Sequence, residues 1–140
     1  MNKQLLINIL RNSLAVIGGC LIGGMLNMVL IQLGSHIIVP PAGADLTTEE
    51  GLKASMHLME PKHFLFPWLA HAVHCLVGGF IATKIGISNH LRLAMIVGGI
   101  TFLGGAFMVY SLPSPYWFSI LDLGLAYFPM AYIGYRIAQK

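Results

Sequence analysis

Four long apolar stretches, over about 10–33, 64–85, 93–112 and 117–138, leave this chain almost no polar surface with which to face water. Each approaches the ~20 residues that a helix needs to cross the hydrocarbon core of a bilayer. The runs are continuous rather than alternating, which argues against membrane β-strands. Charged residues make up 9% of the chain, whereas a soluble domain carries about a quarter. The expected fold is therefore all-α: one integral membrane domain over 1–140, a four-transmembrane-helix bundle. Its 34–63 connector carries a short amphipathic helix over about 48–59.

The basic residues set a direction. Lys3, Arg11, Lys84, Arg92, Arg136 and Lys140 are six of the eight, and all fall on one side of such a bundle. By the positive-inside rule that side is cytoplasmic. Lys53 and Lys62 share the first connector with Asp45, Glu49, Glu50 and Glu60, so this acidic connector is expected outside. Both termini are then cytoplasmic, as an even number of crossings requires. The expected location is a bacterial inner membrane. Aromatic residues stand where interfaces would fall: Phe64, Phe66 and Trp68, then Tyr110, Tyr116 and Trp117, then Tyr132 and Tyr135. Ile17-Gly18-Gly19-Cys20 and Ala42-x-Ala44 faintly resemble processing signals. The apolar run continues past the first and is too long before the second, so no cleavage is expected.

Lipid tails are as apolar as leucine, so membrane helices associate by close packing of small residues. Gly18-Gly19, Gly23-Gly24, Gly78-Gly79, Gly98-Gly99 and Gly104-Gly105 supply them, and Gly19-x-x-x-Gly23 is a small-xxx-small face. Pro129 removes a backbone donor and is expected to kink the last helix. Cys20 and Cys75 lie inside apolar stretches and read as packed thiols rather than a disulfide or a metal clip.

In the connector, Pro40-Pro41-Ala42-Gly43 ends the first helix. Thr47 with Glu50 reads as a capping box, and Leu52, Met56 and Met59 recur at helical spacing. Glu60 then caps a helix entered through Pro61. The apolar face would lie on the membrane surface or cover the mouth of the bundle. Pro40-Pro41-Ala42-Gly43-Ala44-Asp45, Thr47-Thr48-Glu49-Glu50-Gly51-Leu52-Lys53 and Pro61-Lys62-His63-Phe64 resemble segments of a family of small uncharacterised bacterial four-span inner-membrane proteins. Phe66-Pro67 and Ala70-His71 extend the likeness. That resemblance implies the four-span fold and no activity, so no functional residue is carried over from it.

Two constellations carry chemistry. Asp122 lies about six residues into the fourth stretch, His71 about eight into the second with His74 one turn deeper, and Asn27 at comparable depth in the first. A carboxylate at such depth costs roughly 2.5–3.5 kcal/mol on insertion scales, so it must face the interior and find a partner. An Asp122–His71 contact is expected. It would serve either as a ligand or proton site or as a polar clasp that fixes helix register. The second constellation is His57-x-x-Glu60-x-x-His63 with His36 nearby. Imidazoles and a carboxylate of this kind hold zinc, although ordinary interfacial histidines explain them more simply. Neither a di-iron motif nor a haem has its full set of ligands, and no cofactor is expected.

The scattered basic residues exclude a nucleic-acid surface, and no phosphate loop, nucleophile elbow or metalloprotease motif occurs. The expectation is a small binding, transport-associated or accessory subunit with a polar site in the outer half of the bundle. Its partners would be the lipid bilayer and a second copy or another membrane protein. A membrane enzyme acting on a lipid or hydrophobic substrate is the first alternative, though no motif motivates it. A purely structural membrane partner is the second.

Overall fold

The computed structural model describes residues 2–140. Among the described residues every regular element is helical. The order is α1 (Lys3–Ile37), α2 (Glu49–Ser55) with a 3₁₀ turn at Met56–Leu58, then a 3₁₀ turn at Pro61–Phe64 leading into α3 (Leu65–Ile85). After these come α4 (His90–Ser111), α5 (Tyr116–Leu125) and α6 (Phe128–Ala138). Three helices are long and apolar enough to cross a membrane: Lys3–Ile37, Pro61–Ile85 and His90–Ser111. Their outward faces are apolar, as at Leu21, Met25, Leu103 and Phe107. An apolar exterior on helices of this length is the signature of a membrane protein.

The single helix expected over 117–138 is instead two helices, of 10 and 11 residues. Each is about 15 Å long, too short to cross ~30 Å of hydrocarbon alone. The cause is Pro129. It has no N–H to offer, and its ring collides with the carbonyl four residues back. That carbonyl belongs to Leu125, where α5 ends. Tyr127 takes a non-helical backbone conformation and Pro129 sits in the first turn of α6.

Helix α3 is central, packed against α1, α4 and α6. The glycines explain how closely. A Cβ at Gly19 would come within 2.5 Å of the Gly78 carbonyl oxygen, and one at Gly23 within 2.6 Å of the His74 carbonyl oxygen. A Cβ at Gly79 would meet the Ala131 carbonyl oxygen at 2.7 Å, and one at Gly134 the Phe80 nitrogen at 2.9 Å. Gly98 faces Ala131, and Gly105 faces the Tyr127 hydroxyl. The expectation that both members of each doublet pack is corrected. Gly18 and Gly104 have nothing within 4 Å of a Cβ, and Gly24 and Gly99 meet only ordinary contacts at 3.8 Å. Neighbours on a helix point about 100° apart, so only one of a pair can face a given partner.

The connector is ordered by its own polar residues. Thr48, not Thr47, caps α2: its Oγ1 accepts from Gly51 N–H at 2.9 Å. Asp45 accounts for the shift, because its carboxylate takes the Thr47 N–H at 2.8 Å and the Thr47 hydroxyl at 2.6 Å. The Asp45 N–H donates to Ser55 Oγ at 2.9 Å, which ties the turn before α2 to the last residue of that helix. Met56, Phe64 and Phe118 then form a buried cluster with Leu52, Met59, Trp68 and Leu112. The connector's apolar face thus packs onto the ends of α3, α4 and α5. At the opposite end of the bundle, Asn12 of α1 holds the turn between α3 and α4. It donates to Ser88 Oγ and accepts from Ile87 N–H, both at 2.9 Å.

Candidate functional site

Asp122 is 1% exposed and sits on the last turn of α5. His71 of α3 brings Nδ1 to 2.9 Å and 3.1 Å from its two carboxylate oxygens. The expected contact between these two residues is present. A third partner was not expected from the sequence. The Tyr127 hydroxyl donates to Asp122 Oδ2 at 2.8 Å and lies 3.0 Å from His71 Nδ1. The Tyr127 ring stacks on that of His71, with centroids 5.6 Å apart, and packs edge-on against Phe102. Tyr127 belongs to a buried cluster with Ala72, Cys75, Ala126 and Ala131.

Both oxygens of Asp122 therefore have donors. Hydrogen bonds to a charged group stabilise by about 1.5–3 kcal/mol each, enough together to offset the cost of burying the carboxylate. The proton positions follow from the network. The carboxylate only accepts, and the Tyr127 proton points at Oδ2, so His71 carries its proton on Nδ1. Among the described residues, no hydrogen bond is made by His71 Nε2.

Beside this triad lies a cavity of about 520 Å³, within the range of small-molecule sites. His71 and Asp122 form part of its wall. Its sides come from α1 (Ile31, Gly34), α3 (Phe66, Pro67), α4 (Gly105, Met108, Val109) and α5 (Phe118). Leu46, Leu52, Met56 and Met59 of the connector line its remaining side. Most of the lining is apolar, with Gln32, Ser35, Thr47, His63 and Ser114 as the other polar contributors.

The remaining sequence-predicted residues divide differently. His74 is not joined to the triad. Its Nε2 lies 3.3 Å from Thr101 Oγ1, and its ring fills the space that Gly23 leaves open, so it links α1, α3 and α4. Asn27 is half-buried and makes no hydrogen bond to His71, His74 or Asp122 among the described residues. Of the polar groups expected at one level, Asp122 and His71 are joined and Asn27 is not, although it follows Gly23 by four residues on the side of α1 that packs against α3. Cys20 and Cys75 are both free thiols.

His36, His57, Glu60 and His63 do not converge. No group of three or more histidine, cysteine or acidic side chains able to hold a metal forms among the described residues. His63 is committed elsewhere. Its Nδ1 accepts the Glu60 N–H at 2.9 Å, and its Nε2 donates to the Val39 carbonyl at 3.3 Å. Neither ring nitrogen is left for an ion. His36 bonds back to the Gln32 carbonyl of its own helix, and Glu60 pairs with Lys62 at 3.0 Å.

Tyr127 is the residue that sequence reasoning missed. On an unbroken helix, five residues correspond to a rotation of roughly 140° away from Asp122. The break at Ala126–Tyr127 cancels that rotation. Pro129 was the available signal, since it marks where the helix must part. The chain matches no protein family, no curated protein and no solved structure.

Proposed function

We propose that this is a multi-pass inner-membrane protein that binds a largely apolar ligand in the cavity beneath its connector, as a small binding, transport-associated or accessory subunit. In this reading α5 and α6 together make a fourth, broken crossing. Both termini are cytoplasmic and the connector lies outside, following the distribution of basic residues. A broken helix at membrane depth needs its freed backbone groups covered by protein or facing a cavity, and α5–α6 packed on α3 and α4 meets that condition.

The carrying observation is the 520 Å³ apolar cavity with a carboxylate–imidazole pair in its wall. A purely structural clasp accounts for the paired Asp122 but not for the space beside it, which close packing would otherwise fill. The experiment is to purify the protein in mild detergent and identify the lipids that remain bound. Val109→Trp, which places a large ring in the cavity, should strip a specific retained ligand. An unchanged lipid complement would count against the reading. Labelling single cysteines at Glu49 and Ser88 in intact cells checks the orientation, with only the first expected to react from outside.

A second reading, an enzyme acting on a lipid, rests on one observation. Asp122 holds His71 Nδ1 while Nε2 stays free, the arrangement of an oriented general base. Chemical turnover of the bound lipid that His71→Gln abolishes would favour it over binding alone.

A further inference from the structure

Resting on the cavity reading above, we infer that the ligand is a neutral amphiphile with an apolar body and a hydroxyl as its single polar end, seated on His71 Nε2. The head-group chemistry follows from the state of the triad. His71 Nδ1 faces only acceptors, namely the Asp122 carboxylate and the oxygen of Tyr127, whose own proton is given to Asp122. In its neutral form the imidazole keeps its proton on Nδ1 and presents a lone pair at Nε2, and the assignment is made for that form. The ring is 25% exposed and lies in the cavity wall. The free position is an acceptor, and its complement is a donor such as O–H.

Charge narrows the choice further. No lysine or arginine lines the cavity, and Asp122 is its only acidic residue. An anionic head would stand beside Asp122 in apolar surroundings, where like charges strongly disfavour each other. A cationic head would find both carboxylate oxygens already bonded. An ester or ketone brings only acceptors to an acceptor.

The walls indicate the source. Towards the connector the cavity meets Leu46, Leu52 and Met56, on a segment ordered by the Thr48 cap and the Asp45–Ser55 bond. α1 and α4 approach each other at Gly19 and Val97. Nearer the connector, Ile31 of α1 and Met108 of α4 both line the cavity and are also exposed on the apolar exterior. A chain dissolved in the bilayer reaches the cavity between these two helices without leaving hydrocarbon.

The test uses the full-length protein in detergent and three probes sharing one chain: oleyl alcohol, oleic acid and methyl oleate. Affinities are measured at neutral pH by native mass spectrometry. One additional buried hydrogen bond predicts that the alcohol binds up to about tenfold more tightly than the other two. His71→Phe should erase the ranking while the chain still binds. Equal binding of all three, abolished by Val109→Trp, overturns the hydroxyl assignment and leaves the cavity reading standing. A preference for oleic acid, or a ranking that survives His71→Phe, overturns the assignment as well. No binding of any probe overturns the cavity reading together with it. Should His71→Phe fail to fold, the ranking on the unaltered chain decides alone.

Discussion

The hydroxyl of Tyr127 donates to the carboxylate of Asp122 at 2.8 Å across a break in the helix that both residues were expected to share. That one bond joins the end of α5 to the start of α6. It also satisfies the carboxylate oxygen that His71 approaches less closely, at 3.1 Å. Tyr127→Phe should leave this oxygen short of a donor and lower stability by about 1–3 kcal/mol. Thermal unfolding in detergent measures the loss, and an unchanged midpoint would mean the bond is incidental. Gly105→Ala should reproduce the loss in part, because a Cβ there collides with the Tyr127 hydroxyl.

Pro129→Ala restores an N–H that can bond the Leu125 carbonyl. The chain from 116 to 138 should then gain helix across Ala126–Tyr127, rotating Tyr127 away from Asp122. Amide exchange at Ala126, Tyr127 and Phe128 should slow, and the ligand retained by the cavity should fall. Unaltered exchange at all three would show that α3 and α4 hold the break without the proline.

The glycines offer an internal contrast. Gly134→Ala and Gly79→Ala place a methyl against backbone atoms of the facing helix, which cannot yield as a flexible side chain does. Each should cost about 1–3 kcal/mol. Gly104→Ala and Gly18→Ala meet nothing and should be neutral or stabilising by up to about 1 kcal/mol through helix propensity. Similar effects at all four positions would contradict the helix–helix contacts described above.

The connector should respond to acid late. The Thr47 hydroxyl, then the Thr47 N–H, hold the Asp45 carboxyl below the usual carboxylate range. A value lower in the folded state gives stability that is present above the unfolded value, near 3.9, and lost as pH falls through the folded one. Protection of amides over 47–56 should therefore persist through mildly acidic pH and fail only below that range. Asp45→Asn should loosen the same segment at neutral pH. Loss of protection already at mildly acidic pH in the unaltered chain would point to a different group.

Much of the architecture was legible because hydrophobicity and helix punctuation are local properties. The apolar runs marked α1, α3 and α4, although α1 extends beyond the expected 10–33 at both ends. Pro61 and Glu60 marked the entry to α3. The Asp122–His71 pair could be foreseen because a carboxylate in an apolar run needs a partner at its own depth. The Thr48 cap could not, because Asp45 competes for Thr47 and that competition appears only once the turn has formed. The proposed metal set failed for a related reason. Spacing brought His57, Glu60 and His63 together on paper, while a helix cap had already taken Nδ1 of His63 and the Val39 carbonyl its Nε2.

By itself the sequence determined that the chain is helical, that its long apolar stretches suit a bilayer, and that Asp122 could not stand alone. These follow from the composition of contiguous residues and the cost of burying charge. Only the tertiary structure decided which of the paired glycines pack, that Tyr127 rather than Asn27 completes the site, and that a cavity lies beside it. Those outcomes depend on helix rotation and on the point where Pro129 parts the last segment. Rotation is fixed by packing between distant residues, and no local pattern carries it.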